Sequence, residues 1–485
     1  MKIISILIIS LYFSINLVLS QNNIQSAINQ FAADSELKYG SVSFAVIDLS
    51  TGEVISSLNK DMAVPTASTA KLFSTSTALE LLGPNYKPKT RIFYDGIIDS
   101  TGTLKGNIWI QGGGDPTLGS KYFTNSETKY DFLKTWMKEI QKLGIFRIEG
   151  AVIADASKFG YNGAPDGWNW SDLGNYYGSG PSGLTIFDNL IEMHFSTSSS
   201  AGKPTKLVST FPVVQDLAFH NYVQSSTKSG DNSYIYGAPY SLDRFGTGTL
   251  PVNNSDFVVK ASLPDPEFQM AYEFYSLLLQ NNISINEAPK AVRQLEIAPL
   301  DKSKMTLIYE NNGVALIDII TETNMQSVNL FAEHMLNLIG FEKTGVGSTE
   351  NGINTLENFW KTKINTEGMH INDGSGLSRT NAISAQHYVS MLEYISKSKY
   401  AAEFKKSLPI AGISGTLKSV CKGQSAQDRM HAKSGTMTRI KSYAGYIDGK
   451  SGKKYAFALI TNNYECSSTV IRQKMEAVFN AIANQ

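Results

Sequence analysis

Pro65-Thr66-Ala67-Ser68-Thr69-Ala70-Lys71 is the stretch on which the reading of this chain turns. A hydroxyl and an amine three positions apart share one face of a helix, which puts Ser68 Oγ and Lys71 Nζ within hydrogen-bond reach of each other. A serine held against an amine is a candidate nucleophile. The spacing predicts a helix with Thr66 as N-cap, apolar positions at Leu72, Ala78, Leu79 and Leu82, and Gly83-Pro84 as the stop. Ser68 then sits in the first turn, where free backbone N–H groups and the positive helix end favour developing negative charge. Serine–lysine pairs at this spacing also decorate ordinary surface helices, so the pair needs partners elsewhere in the chain before it means catalysis.

The chain of 485 residues exceeds one ordinary core, and a length prior suggests about three domains. Lys+Arg and Asp+Glu number 43 each, so no global field draws nucleic acid or an acidic membrane surface. Residues 1–20, with Lys2 ahead of the apolar run Ile3–Leu19, read as a secretory signal peptide cleaved near Ser20-Gln21, which predicts a secreted or periplasmic protein. An uncleaved anchor is the alternative. No later stretch approaches the ~20 apolar residues of a span, so no transmembrane segment is expected in the mature chain. Cys421 and Cys466 are either a disulfide or two separate thiols. The six histidines show no ligand spacing, and no metal or cofactor is expected.

Along the chain, Ile24, Ala27, Ile28 and Phe31 repeat at helical spacing, and Val42–Ile47 and Val54–Leu58 form a hairpin across Ser50-Thr51-Gly52. From Pro84 to about 300 the character shifts to short strands and glycines. Tyr130–Leu143 is the one clear helix there, and residues 160–254 read as irregular β structure. Helical patterning returns at Met325–Ile339 and Ala385–Ile395. A second hairpin, Ser442–Ile447 with Tyr455–Ile460, precedes a closing helix through Val470 and Ile482. Helix–hairpin in front and hairpin–helix behind fit one antiparallel sheet with helices on both faces, an α+β architecture with the middle of the chain inserted.

Two further stretches pair with Ser68 and Lys71. In Ser327-Val328-Asn329 a hydroxyl and an amide can reach into a cleft, one to pass a proton and the other to hold a substrate amide, although the tripeptide is also ordinary N-capping chemistry. Lys433-Ser434-Gly435-Thr436 suits a strand edge along which a peptide with a terminal carboxylate lies, glycine letting two backbones approach; alone it would read as a turn. The ordered set Ser-x-x-Lys, Ser-x-Asn, Lys-Ser/Thr-Gly resembles the signature of penicillin-binding proteins and serine β-lactamases. The long gap from Ser68 to Ser327 is more than a compact β-lactamase would show. The chain is similar to the D-alanyl-D-alanine carboxypeptidase/endopeptidase family of class C low-molecular-mass penicillin-binding proteins, the PBP4 type or peptidase S13 family. Gly112–Leu118, Asp373–Arg379, Leu408–Gly412 and Gly415–Leu417 resemble that family as well. Ser434 departs from its commoner threonine, and residues 165–250 match it loosely.

The resemblance implies a transpeptidase-like catalytic domain split between 21–84 and 300–485. It also implies a large, mainly β insertion of two subdomains, one at 85–164 with 255–299 and the other at 165–254. By the same resemblance Ser68 is the nucleophile and Lys71 its base, with a pKa lowered by burial and by Lys433. Ser327 relays a proton to the leaving amine and Asn329 holds a substrate amide. Lys433, Ser434, Gly435 and Thr436 bind the terminal carboxylate, and the N–H groups of Ser68 and Thr436 form the oxyanion hole. The implied partners are peptidoglycan peptides ending in D-Ala-D-Ala and covalently bound β-lactams. A β-lactamase and a non-catalytic wall-binding protein are the competing readings, and a homodimer is left open. A Ser-His-Asp triad is disfavoured because no Gly-x-Ser-x-Gly elbow encloses Ser68.

Overall fold

Phe44 and Val46 alternate with Ala45 and Ile47 along Ser41–Asp48, and all four are buried, the pattern of a strand covered on both faces. That strand is fourth in a five-stranded sheet in the order Met430–Met437, Ile440–Asp448, Lys454–Asn462, Ser41–Asp48, Val54–Leu58. Every neighbouring pair is antiparallel. The computed structural model describes residues 23–294 and 300–485, and the segment 1–20 read as a signal peptide lies outside them. The described chain divides into two compact units. The first runs to Pro84 and adds Ile317–Val328 and Leu356–Gln485; the second is Asn85–Leu316 with Asn329–Thr355.

In the first unit one face of the sheet buries Phe44, Val46, Phe457 and Leu459 against the helix at 23–32, through Ile24 and Ile28, and against the closing helix Ser468–Ala483, through Ile471 and Phe479. On the other face lies the helix Ala385–Ser396. Tyr446 Oη donates to the Leu392 carbonyl at 2.9 Å, and the Ala385 N–H donates to Ser43 Oγ at 3.1 Å. The helix Lys71–Leu82 joins this layer through Phe73, whose ring lies 5.4 Å from Tyr388 and 5.6 Å from Trp360. It is buried all round from Lys71 to Leu79, so it has no solvent stripe. Its hydroxyls satisfy themselves on the preceding turn, Thr75 on the Lys71 carbonyl at 2.7 Å and Thr77 on Phe73 at 2.6 Å.

The second unit is built on a mixed sheet in the order Lys290–Ala291, Val152–Asp155, Ile108–Gln111, Lys89–Tyr94, Thr306–Asn312. The helices Asp131–Lys142 and Pro266–Gln280 share its core, Trp136 lying 5.7 Å from Phe274. Ile191, Phe195, Val223, Ile235, Leu250 and Val259 form a separate core among the strands between 190 and 262. Near the Gly112–Gly114 turn His334 is fully buried. Its Nδ1 is 3.1 Å from the Gly114 carbonyl, so that nitrogen carries the proton, and Nε2 at 3.0 Å accepts from Thr185 Oγ1.

Several expectations need correcting. Thr66 makes no side-chain cap, and a 3-10 turn, Ala67–Ala70, precedes the α-helix, so Ser68 is not in its first turn. The predicted helix Met325–Ile339 is two helices, Leu316–Gln326 and Asn329–Thr344, because Ser327 at φ +62° cannot continue an α-helix. The return from the insertion, placed at 300, falls later, since Thr306–Asn312 pairs with Lys89–Tyr94 in the second unit. The helix Pro266–Gln280 was not foreseen. Of the two readings left open for Cys421 and Cys466, the structure shows free thiols. No helix among the described residues is long and apolar enough to cross a membrane.

Candidate active site

The 3-10 turn sharpens the serine–lysine pairing. With three residues per turn, positions i and i+3 eclipse, and Lys71 Nζ donates to Ser68 Oγ at 2.9 Å. Lys71 is fully buried and donates also to the Ser375 carbonyl at 2.7 Å. That carbonyl belongs to a loop organised by the buried Asp373. Its carboxylate accepts from the N–H of Gly376 at 2.7 Å, from the N–H of Ser378 at 2.6 Å and from Asn381 Nδ2 at 2.8 Å. Gly376 lies at φ +80°, and a Cβ there would stand 2.0 Å from the Ala67 carbonyl, so glycine is what brings the loop onto the Ser68 turn. Sequence alone gives Asp373–Arg379 a family resemblance but no role.

A second lysine–serine pair faces the same cleft. Lys433 Nζ donates to Ser327 Oγ at 2.9 Å and to the Ser434 carbonyl at 2.8 Å. Lys433 is fully buried, and burial first, then the charge of Lys71, holds its amine well below the ordinary lysine value. Ser327 presents its hydroxyl from a left-handed backbone conformation, the kind of strained position found at functional sites. Gly435 lies between the strand and the Ser68 turn. A Cβ there would be 2.5 Å from the Thr66 carbonyl and 3.0 Å from Ser68 N, so the close approach expected of this glycine is to the nucleophile's own turn.

The turn is tied down from the sheet and helix sides. Ser442 Oγ donates to the Thr66 carbonyl at 2.5 Å, and Tyr388 Oη lies 3.0 Å from Thr66 Oγ1 and 3.1 Å from Thr69 Oγ1. A cleft of about 350 Å³ opens beside it, lined by Ser68, Ser327, Thr416, Ser434, Thr436 and Lys441 among others. Ser434 Oγ donates to Thr416 Oγ1 at 2.8 Å, and Lys441 Nζ donates to Thr436 Oγ1 at 2.7 Å. Thr416 and Lys441 were missed. The signal available for Lys441 was its place as the one cation in the strand Ile440–Asp448. Ser68, Lys71, Ser327, Lys433, Ser434, Gly435 and Thr436 all belong to the first unit. Asn329 opens a helix of the second unit, where its Nδ2 donates to the Tyr177 carbonyl at 2.8 Å. Among the described residues no group of three His, Cys, Asp or Glu side chains could hold a metal ion.

A serine–lysine turn under the edge of an antiparallel sheet with helices on both faces, together with the Ser-x-Asn and Lys-Ser-Gly stretches, defines the class of penicillin-recognising serine enzymes. The chain belongs to the D-Ala-D-Ala carboxypeptidase 3 (S13) family, whose model matches residues 24–485, and it is a serine-type D-Ala-D-Ala carboxypeptidase. It is 25% identical over 446 residues to a D-alanyl-D-alanine carboxypeptidase of Actinomadura sp. strain R39, covering 89% of this chain and 80% of the relative. It is 27% identical over 489 residues to penicillin-sensitive carboxypeptidase A of Dictyostelium discoideum, covering 91% and 87%. The crystal structure of penicillin binding protein 4 from Haemophilus influenzae superposes with a TM-score of 0.78 at 21% identity, over 92% of this chain and 96% of that one.

Proposed function

We propose that the protein cleaves the terminal D-Ala-D-Ala bond of peptidoglycan stem peptides through an acyl-enzyme on Ser68, and that β-lactams trap the same serine. The observation that carries this reading is the pair of hydrogen bonds at 2.9 Å, Lys71 to Ser68 and Lys433 to Ser327, converging on one cleft. Lys71 takes the Ser68 proton while Oγ attacks the penultimate D-Ala carbonyl. The backbone N–H groups of Ser68 and Thr436 receive the oxyanion, each donor typically worth ~3 kcal/mol. Ser327 passes a proton to the leaving amine, and water then releases the acyl group by the reverse route. Asn329 holds a substrate amide, while Lys433, Ser434 and Thr436 hold the terminal carboxylate beside Gly435. A cross-linked peptide in the same cleft is cut as by an endopeptidase. A signal peptide at 1–20 delivers the protein to the periplasm or outside the cell, and the insertion comprises two subdomains.

The test is incubation of wild type and Ser68→Ala with a fluorescent penicillin. A stable label on the wild type alone is expected, and the penicillin-sensitive Dictyostelium relative supports that expectation. Rapid turnover of the label would favour a β-lactamase. No label on the folded wild type would overturn the covalent mechanism.

A further inference from the structure

Lys441 is a cation held inside the catalytic cleft without a counter-ion. It lies opposite Thr436 in the strand register and is only 8% exposed. Its Nζ donates to Thr436 Oγ1 at 2.7 Å and to Ser468 Oγ at 3.3 Å, and it makes no ion pair with an Asp or Glu among the described residues. The other cation on this wall, Arg472, has Glu476 at 3.0 Å. The rest of the lining is hydroxyl-bearing and uncharged, from Ser68 and Ser327 to Thr416 and Ser434. Burial, with Arg472 second, pulls Lys441 down to about 8, which leaves it charged at neutral pH.

An ammonium group only donates, so Thr436 Oγ1 accepts from Lys441 and its own hydroxyl proton is free to point into the cleft. Lys441 thus makes Thr436 a donor and places a positive charge behind it. Lys441 Nζ also lies over the Tyr443 ring at 5.7 Å, and a buried cation with no anion beside it is costly, a cost that a ligand carboxylate at Thr436 relieves. Both hydrogen bonds to such a carboxylate would be charge-assisted.

We propose that Lys441 is the specificity-determining counter-cation for the α-carboxylate of the residue that leaves in the reaction, acting together with the Thr436 hydroxyl that it orients. This rests on the carboxypeptidase reading above and names the group that the cleft selects. The ligand class is a peptide whose residue after the scissile bond carries a free carboxylate, and the same residue with a neutral carboxamide is discriminated against.

The experiment compares kcat/KM for two peptides that differ only at the end, D-Ala-D-Ala and D-Ala-D-alaninamide, in wild type, Lys441→Gln and Lys441→Arg. The preference of the wild type for the free acid is expected to fall about 10- to 100-fold in Lys441→Gln, the range for losing one hydrogen bond to a charged group. The loss should fall on the acid peptide alone, and Lys441→Arg should keep most of the preference. An acid-to-amide ratio in Lys441→Gln equal to that of the wild type, or equal losses on both peptides, overturns the inference. Lys441→Met, with an apolar stem of similar length, repeats the comparison with the same criteria if the glutamine variant does not fold. Failure of the wild type to cleave either peptide, with no penicillin label, would overturn the underlying carboxypeptidase reading instead.

Discussion

Gly435 has no room for even a methyl group. Added there, a Cβ would meet Ser442 Oγ at 2.3 Å, the Thr66 carbonyl at 2.5 Å and Ser68 N at 3.0 Å. The hydroxyl can rotate aside, but the carbonyl and the amide are backbone, so the strand must retreat from the nucleophile. Gly435→Ala is expected to slow penicillin acylation about 100-fold, the cost of a misplacement near 1 Å, and to lower stability by about 1–3 kcal/mol. Stopped-flow acylation and urea unfolding measure the two effects. Ser68, Lys71, Ser327 and Lys433 were legible because residue type, spacing and order together are improbable by chance. Lys441 was not, because its burial and its missing counter-ion are products of tertiary packing. Ser327 was legible as chemistry but not as conformation, since no local residue pattern signals a serine at φ +62°.

The loop at Asp373–Ser378 shows how one carboxylate organises a whole element. Asp373 receives two backbone N–H groups and one side-chain amide, and the loop then offers the Ser375 carbonyl to Lys71. Asp373→Ala leaves those donors unsatisfied and the carbonyl unanchored. A loss of about 1–3 kcal/mol for each donor left dry is expected in chemical unfolding. The fluorescent penicillin should then label the variant more slowly, with the stoichiometry unchanged. Both hairpins were readable as β-rich runs joined across turn residues, and Ala385–Ser396 and Ser468–Ala483 from helical period. Pro266–Gln280 carried its own signals, Asp265 as N-cap accepting from Phe268 N and proline at the first position, yet it sits amid short strands and glycines that mask a helical period. The turn at Ser68 was read as α-helical because local spacing cannot separate three from 3.6 residues per turn.

At the scale of the molecule, pH acts through groups buried in the second unit. Burial pulls His334 from 6.5 down to about 4, so the native imidazole stays neutral where the unfolded one binds a proton. Its contribution is fully present above pH 6.5 and is lost as pH falls towards 4, about 3 kcal/mol in all. Asp115, pushed up to about 6, and Glu267, pushed up to about 7, act in the opposite sense, since each native carboxyl holds its proton longer and loses stability as pH rises. The stability difference between wild type and His334→Gln, from urea unfolding at pH 7 and pH 4, isolates the histidine. It should shrink by about 3 kcal/mol at the lower pH.

The order of the central sheet has a consequence for how this chain is made. Ser41–Asp48 pairs with Lys454–Asn462 from opposite ends of the sequence. Until that late segment emerges, the strand Ser41–Asp48 pairs only within a lone hairpin with Val54–Leu58, which is marginal in water. The reactive serine is therefore synthesised early and armed last. The second unit, whose segments end at Thr355, is free to fold before the strand Lys454–Asn462 of the catalytic sheet emerges.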